Sequence, residues 1–307
     1  MTTTLRPSLI ALVVASIPSC DAVEVVQQVA LETGRQLLKS SIARNYGTSY
    51  EAVVDRMLES VIRATLPPGS PDSTALASSL SADAGAGAAQ AGTGGSGAPG
   101  EPVGQLVEAD PIELEVAVLR EESLGGRFVP VELQDGDTIR DGVGRPGQGD
   151  NIKIRFEVNQ SCHIYAVWID ATGWVTPIFP TADAYAHANP ATAGLEYTLP
   201  EGNQWFYLDE HRGIENLYFV ASHESIPDLE SALGELLGRE REFAGDVSEP
   251  VPVEEPYALM RGIGGTREGR LSSVRTSDDR VHEVQSQVFI AEFASSDLVV
   301  TRWFRHE

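Results

Sequence analysis

The chain has 307 residues, 42% of them apolar, which suffices for one large or two ordinary globular domains. Its formal net charge is -23, and Lys39 and Lys153 are its only lysines. A surface so acidic repels phosphate backbones and offers no polybasic segment to anionic lipid, which argues against nucleic-acid binding and electrostatic membrane docking.

Residues 1–20 read as an export signal. Arg6 gives a weakly positive start, and Leu9 to Ala15 form an apolar run of signal length that is too short to span a bilayer. Ile17-Pro18-Ser19-Cys20 resembles a lipobox, which implies Cys20 as the lipidated residue of a membrane-anchored lipoprotein in the periplasm or cell envelope; a simple cleaved or uncleaved signal, or a cytosolic helix, are the alternatives. Residues 21–66 read as a helical hairpin. Val23, Val26, Ala30, Leu37 and Leu38 recur at helical spacing, Gly47 is a stop, and Thr48 to Glu51 has the capping-box pattern. Val53, Val54, Met57, Leu58, Val61 and Ile62 continue the period to Pro67-Pro68. Residues 67–102 are Ala, Gly, Ser and Pro with almost nothing apolar. That composition predicts a disordered linker, able to hold a domain clear of a membrane.

From residue 103 to 307 the pattern predicts one mainly β, sandwich-like antiparallel domain. Ile112, Leu114, Val116 and Val118 alternate with polar or small neighbours. Ile152, Ile154, Phe156 and Val158 alternate with Lys153, Arg155 and Glu157. Residues 163–169 are apolar on both faces, as in a central strand, and Asp170-Ala171-Thr172-Gly173 turns the chain into a partner at 174–179. Further strands are expected at 195–199, 204–208 and 214–222. A helix is expected at 226–237, opened by Pro227 and Asp228 and closed by Gly238. Residues 239–256 read as a loop. The C-terminal strands, at 257–263, 281–293 and 298–304, have too little core of their own and are expected to complete the main sheets.

Glu132-Leu133-Gln134-Asp135-Gly136-Asp137-Thr138-Ile139, followed by Ile152-Lys153-Ile154-Arg155-Phe156, resembles the opening of domain-of-unknown-function family 4384. Ile164-Tyr165 through Ile169-Asp170, Gly173 and Ile178-Phe179-Pro180 match its centre. Tyr197-Thr198-Leu199-Pro200, Phe206-Tyr207-Leu208-Asp209 and 213–222 match its close. The resemblance covers roughly residues 128–222. It implies a bacterial domain, sometimes joined to caspase-like peptidases or protein kinases, and transfers no functional residue. The chain departs from the family at Gly142 to Gly149, an insertion in place of a tighter turn.

Gly142-Val143-Gly144-Arg145-Pro146-Gly147 spells a dinucleotide fingerprint, but Pro146 and the following strand leave no helix to bind pyrophosphate. Cys162 and His163 are adjacent on a strand and point to opposite faces, so they do not form a nucleophile–base pair; Cys162 reads as a small buried hydrophobe. His223-Glu224 lacks the second histidine of a zinc helix, since Pro227 occupies its place. No cofactor, metal site or catalytic residue is expected. Asp135, Asp137, Asp170 and Asp209 read first as turn-forming residues and otherwise as the carboxylates of an unrecognised hydrolase. Trp168, Trp174, Trp205 and Tyr207 are read as a possible binding surface, with core packing as the alternative. The leading expectation is an exported, membrane-tethered, non-catalytic module binding a cell-envelope protein. A carbohydrate-binding module using Trp168, Trp174 and Trp205 is the runner-up.

Overall fold

The computed structural model describes residues 42–64, 110–140, 149–181, 189–209, 211–241 and 263–307. The export signal with Cys20, the first arm of the helical hairpin as far as residue 41, the linker at 67–102 and the Gly142–Gly147 motif lie outside the described residues. The fold is mainly β. Alternation makes strands β1 (Glu113–Leu124) and β4 (Asn151–Val158), which pair antiparallel from Leu114↔Val158 to Glu121↔Asn151. The free edge of β1 is shared by two shorter strands, β2 (Arg127–Glu132) on its C-terminal half and a later strand from the C-terminal region on its N-terminal half.

In chain order the remaining strands are β3 (Thr138–Ile139), β5 (His163–Ile169), β6 (Val175–Phe179), β7 (Tyr197–Leu199), β8 (Phe206–Tyr207) and β9 (Gly213–Ser222). They are followed by β10 (Ile263–Glu268), β11 (Ser272–Arg275), β12 (Val281–Val284), β13 (Gln287–Ala291) and β14 (Leu298–His306). A seven-stranded sheet runs β10-β13-β1-β4-β7, with β2 beside β1 and β8 beside β4; a five-stranded sheet runs β3-β14-β9-β5-β6. Of the expected C-terminal strands, those within 281–293 and 298–304 complete the main sheets, because β13 pairs with β1 and β14 with β9, whereas residues 257–262 lie outside the described residues. Residues 281–293 divide into two strands rather than one, and β11 and β12 form a separate two-stranded hairpin.

The two large sheets pack face to face. Leu114, Val116, Val118, Ile152, Ile154, Phe156 and Phe289 from one meet Ile164, Ala166, Phe179, Leu217, Phe219, Val300 and Phe304 from the other in a single cluster. Phe156 is at its centre, stacked on Tyr197 (4.9 Å between centroids, 8°) and edge-on to Phe179.

The other face of the five-stranded sheet is apolar too, which explains why β5 reads as apolar on both faces. Tyr165, Val167, Ile169, Tyr218, Val220 and Val299 are covered there by helices α1 (Thr48–Ala64) and α2 (Pro227–Leu236). The α1 stripe of Val53, Val54, Met57, Leu58 and Val61 is buried, at about 1.5–3 kcal/mol for each side chain fully removed from water. Gly47 stops the preceding helical stretch with φ +84°, and α1 starts at the expected Thr48. Tyr50 stacks on Trp174 and its hydroxyl accepts from the Val175 amide at 2.6 Å. Tyr165 Oη accepts from the Ile226 amide and donates to Glu230, which ties down the start of α2 in the absence of a side-chain cap. Gly173, at φ +86°, has the turn conformation that glycine favours, and a Cβ on it would lie 2.9 Å from Ile42 Cγ1. The described part of the helical segment is therefore part of the β body. Among the described residues no helix is long and apolar enough to cross a membrane.

Candidate functional site

The outer face of the seven-stranded sheet carries a row of charges. Strand register places Glu115 opposite Glu157, Ala117 opposite Arg155 and Leu119 opposite Lys153. Two carboxylates directly across an antiparallel pair repel each other. Arg270, from the loop between β10 and β11, relieves this. Its guanidinium pairs with Glu157 and lies 3.5 Å from Glu115, while its amide donates to Glu115 at 2.9 Å. Ser286 Oγ donates to the same Glu115 carboxylate.

Beside this clamp is Arg155, only 4% exposed, whose Nη2 pairs with Glu196. No protein group accepts from its Nε or Nη1, although both are buried. Burial pulls the Arg155 pKa down and the Glu115 and Glu157 carboxylates oppose that pull, so the side chain remains a cation. Glu115, Arg155, Glu157, Glu196, Arg270 and Leu271 contribute to the lining of a cavity of about 220 Å³. Leu271 is 63% exposed, and Leu195, next to Glu196 in the chain, is 50% exposed. Further along the same face, Lys153 Nζ lies 4.8 Å over the Trp205 ring and donates to Gly202 O, and Glu121 accepts from Ser277 and Asn151. Lys153 and Arg155, read from their alternation as a polar strand face, are buried at 1% and 4% exposure.

The three tryptophans considered as a binding surface do not assemble into one. Trp168 packs at the sandwich interior, with its Nε1 donating to Glu215 at 2.6 Å and Phe206 edge-on. Trp174 is half-buried under Tyr46 and Tyr50 on the helix side, and Trp205 is buried on the outer face of the other sheet. Each belongs to a different apolar cluster, because strand alternation and the two-sheet architecture send them to separate layers. Tyr207 alone is open, at 79% exposure. Cys162 is fully buried and its thiol is pushed up to about 12 by desolvation. Among the described residues no group of three or more His, Cys, Asp or Glu side chains is placed to hold a metal ion.

The four aspartates act as turn and anchor groups. Asp137 accepts from the Gln134 amide and Asp209 from the His211 amide, while Asp135 takes Arg302 Nε at 2.9 Å. Asp170 Oδ1 accepts from the amides of Thr172 and Trp174 and from the Thr172 hydroxyl. Its Oδ2 meets Arg241 at 2.6 Å, and the same guanidinium pairs with Asp209. Sequence reasoning missed Arg241 altogether, because it lies at the start of the charged segment read as a loop, with nothing local to mark it. It also missed Glu215, buried within the sandwich between Trp168 and His306 Nδ1, 3.3 Å from the latter.

Burial raises the pKa values of Asp170 and Glu215, with Arg241 opposing the shift at the first and the His306 hydrogen bond at the second; burial also raises that of Asp297. A carboxyl whose folded-state pKa lies above its unfolded value binds more protons when folded. Stability therefore falls as pH rises through the window between the two values. The net charge of -23 acts in the same direction. The urea midpoint is expected to rise as pH is lowered from about 7 toward about 5, and Glu215→Gln to flatten that rise. A midpoint that falls over this range, or an unaltered slope in the variant, would contradict the assignment.

In comparison with known proteins, residues 147–225 match the model of a family described as domain of unknown function (DUF4384). The matched span runs from β4 to β9 and holds Arg155, Glu157 and Glu196, whereas Glu115, Arg270, Leu271 and Ser286 lie outside it. No curated protein and no solved structure matches the chain.

Proposed function

We propose that this protein is a non-catalytic interaction module, tethered in the cell envelope by a lipid on Cys20, and that the charged cavity beside Arg155 is its binding face. The observation that carries this reading is the state of Arg155. A guanidinium held at 4% exposure with two nitrogens lacking a protein acceptor lines an accessible cavity with the exposed Leu271. The outer face of the five-stranded sheet, by contrast, is covered by α1 and α2. The lipobox-like run ending at Cys20 supports the tether.

One experiment tests both halves. A photo-crosslinking residue replaces Leu271 or, as control, Phe293, which is 62% exposed in another part of the fold. Each is produced in the native cells with Cys20 or with Cys20→Ala, and the cells are fractionated. The expected result is a discrete adduct from position 271 and not from 293, and movement of the protein from the membrane to the soluble envelope fraction in Cys20→Ala. Recovery of the Cys20 protein in the cytosol would remove the compartment. Equal labelling at both positions would remove the binding face.

A further inference from the structure

The cavity beside Arg155 has a charge pattern that restricts what can enter it. Its carboxylates are Glu115, Glu157 and Glu196, and its cations are Arg155 and Arg270. With three negative groups against two positive ones, a free anion such as phosphate or acetate meets net repulsion. A bare cation is matched to the carboxylates but gives Arg155 nothing to bond, and a buried guanidinium left short of acceptors carries a desolvation cost. The chemistry that answers both sides is a positive donor with a neutral acceptor a few bonds away.

The arrangement of partners is consistent with this. Arg270 and Ser286 already occupy much of Glu115, and Arg270 occupies one oxygen of Glu157. Glu196 is 43% exposed in its side chain and pairs with Arg155 through a single oxygen, so it is the carboxylate best placed to take a further donor. A volume of about 220 Å³ holds on the order of seven waters, which suits one or two small residues rather than a folded element. Ala117 and Leu271 provide the apolar wall for a short side chain.

We propose that this cavity binds a primary ammonium group together with its neighbouring carbonyl, the pairing found at the amino terminus of a peptide. The ammonium meets Glu196 and Glu157, the first carbonyl accepts from Arg155, and the first side chain lies against Leu271. This rests on the reading of the cavity as the binding face and specifies its ligand.

The test is an NMR titration of the full chain with glycylglycinamide, its N-acetylated form, and acetate. Glycylglycinamide is expected to shift the amides of Leu271, Ser272 and Ser286 while leaving Phe293 unmoved. Acetylation removes the charge and is expected to weaken binding about tenfold, the equivalent of one charge-assisted hydrogen bond; acetate is expected to produce no shift. Glu196→Gln, which keeps an oxygen able to accept from Arg155 while removing the charge, is expected to weaken glycylglycinamide by a similar factor. Equal binding of the acetylated peptide, binding of acetate, or no shift with glycylglycinamide would each overturn the proposal. If position 271 still crosslinks a partner while the peptide fails, only the ligand class falls. If both fail, the binding face falls with it.

Discussion

Replacing Phe156 with alanine is expected to destabilise the protein by about 3–5 kcal/mol, the usual cost of emptying a large aromatic site in a packed core. Phe156 is 2% exposed and sits between Tyr197, Phe179 and Phe219, with residues of both sheets around it. Neither sheet can move inward to fill the space without breaking its own ladder, so the cavity persists. The effect is read as a lower urea midpoint at an unchanged slope. Phe156→Leu keeps most of the volume and is expected to cost far less. A loss below about 1 kcal/mol for the alanine variant would mean that the two sheets do not meet at this point. The neighbouring Arg155 belongs to the opposite face of the same strand, so the variant is also expected to loosen the charged cavity.

Arg241→Met is expected to cost about 2–3 kcal/mol, less than the usual loss for a fully buried ion pair because Arg241 and Asp209 retain some contact with water. The physical reason is Asp170, whose side chain is only 12% exposed and which keeps its turn-forming bonds whether or not Arg241 is present. Without the guanidinium its charge has no opposite partner at Oδ2. The damage should be local. Arg241 also bonds Tyr46 and Thr172, and Asn45 donates to Thr172 O, so this cluster pins the helical segment to the turn between β5 and β6. Hydrogen exchange at the amides of α1 is expected to accelerate well beyond that of β9, which lies in the middle of its sheet. Uniform acceleration through both elements would show that the cluster supports the whole domain rather than the helix. Arg241→Lys reaches one carboxylate at a time and is expected to recover part of the loss.

The helical docking bears on the tether. From sequence alone, residues 67–102 read as a spacer between a helical hairpin and the β domain. Because α1 packs on the five-stranded sheet, the described residues on either side of that segment, up to Ala64 and from Asp110, belong to the same body. If Cys20 carries the lipid, the reach from the membrane is then set by the residues between Cys20 and Ile42, at no more than about 3.3–3.6 Å each.

Much of the β architecture was legible before the fold was known. The apolar period of two at 152–158, the doubly apolar run at 163–169 and the turn at Asp170–Gly173 are local signals, and each became the element expected. The helices beginning at Pro227 and Thr48 were equally readable, although Thr48 is already helical and the Glu51 amide donates to Gly47 O rather than to a Thr48 cap. The short strands β2, β3, β10 and β11 were not. They are short segments whose pairing is decided by partners distant in the chain or across a turn rather than by a pattern of their own, and β3 is only two residues beside β14.

The charged cavity lay further from view. Alternation determined that Lys153 and Arg155 lie opposite the core, and a lone strand would give both of them to solvent. Only the tertiary structure decided that they are covered, because the groups around them, Trp205, Glu196 and Arg270, come from segments about 40 to over 100 residues away. Local hydrophobic order specifies which face of a strand is which. What covers that face depends on long-range packing, and there the environment of each charge is set.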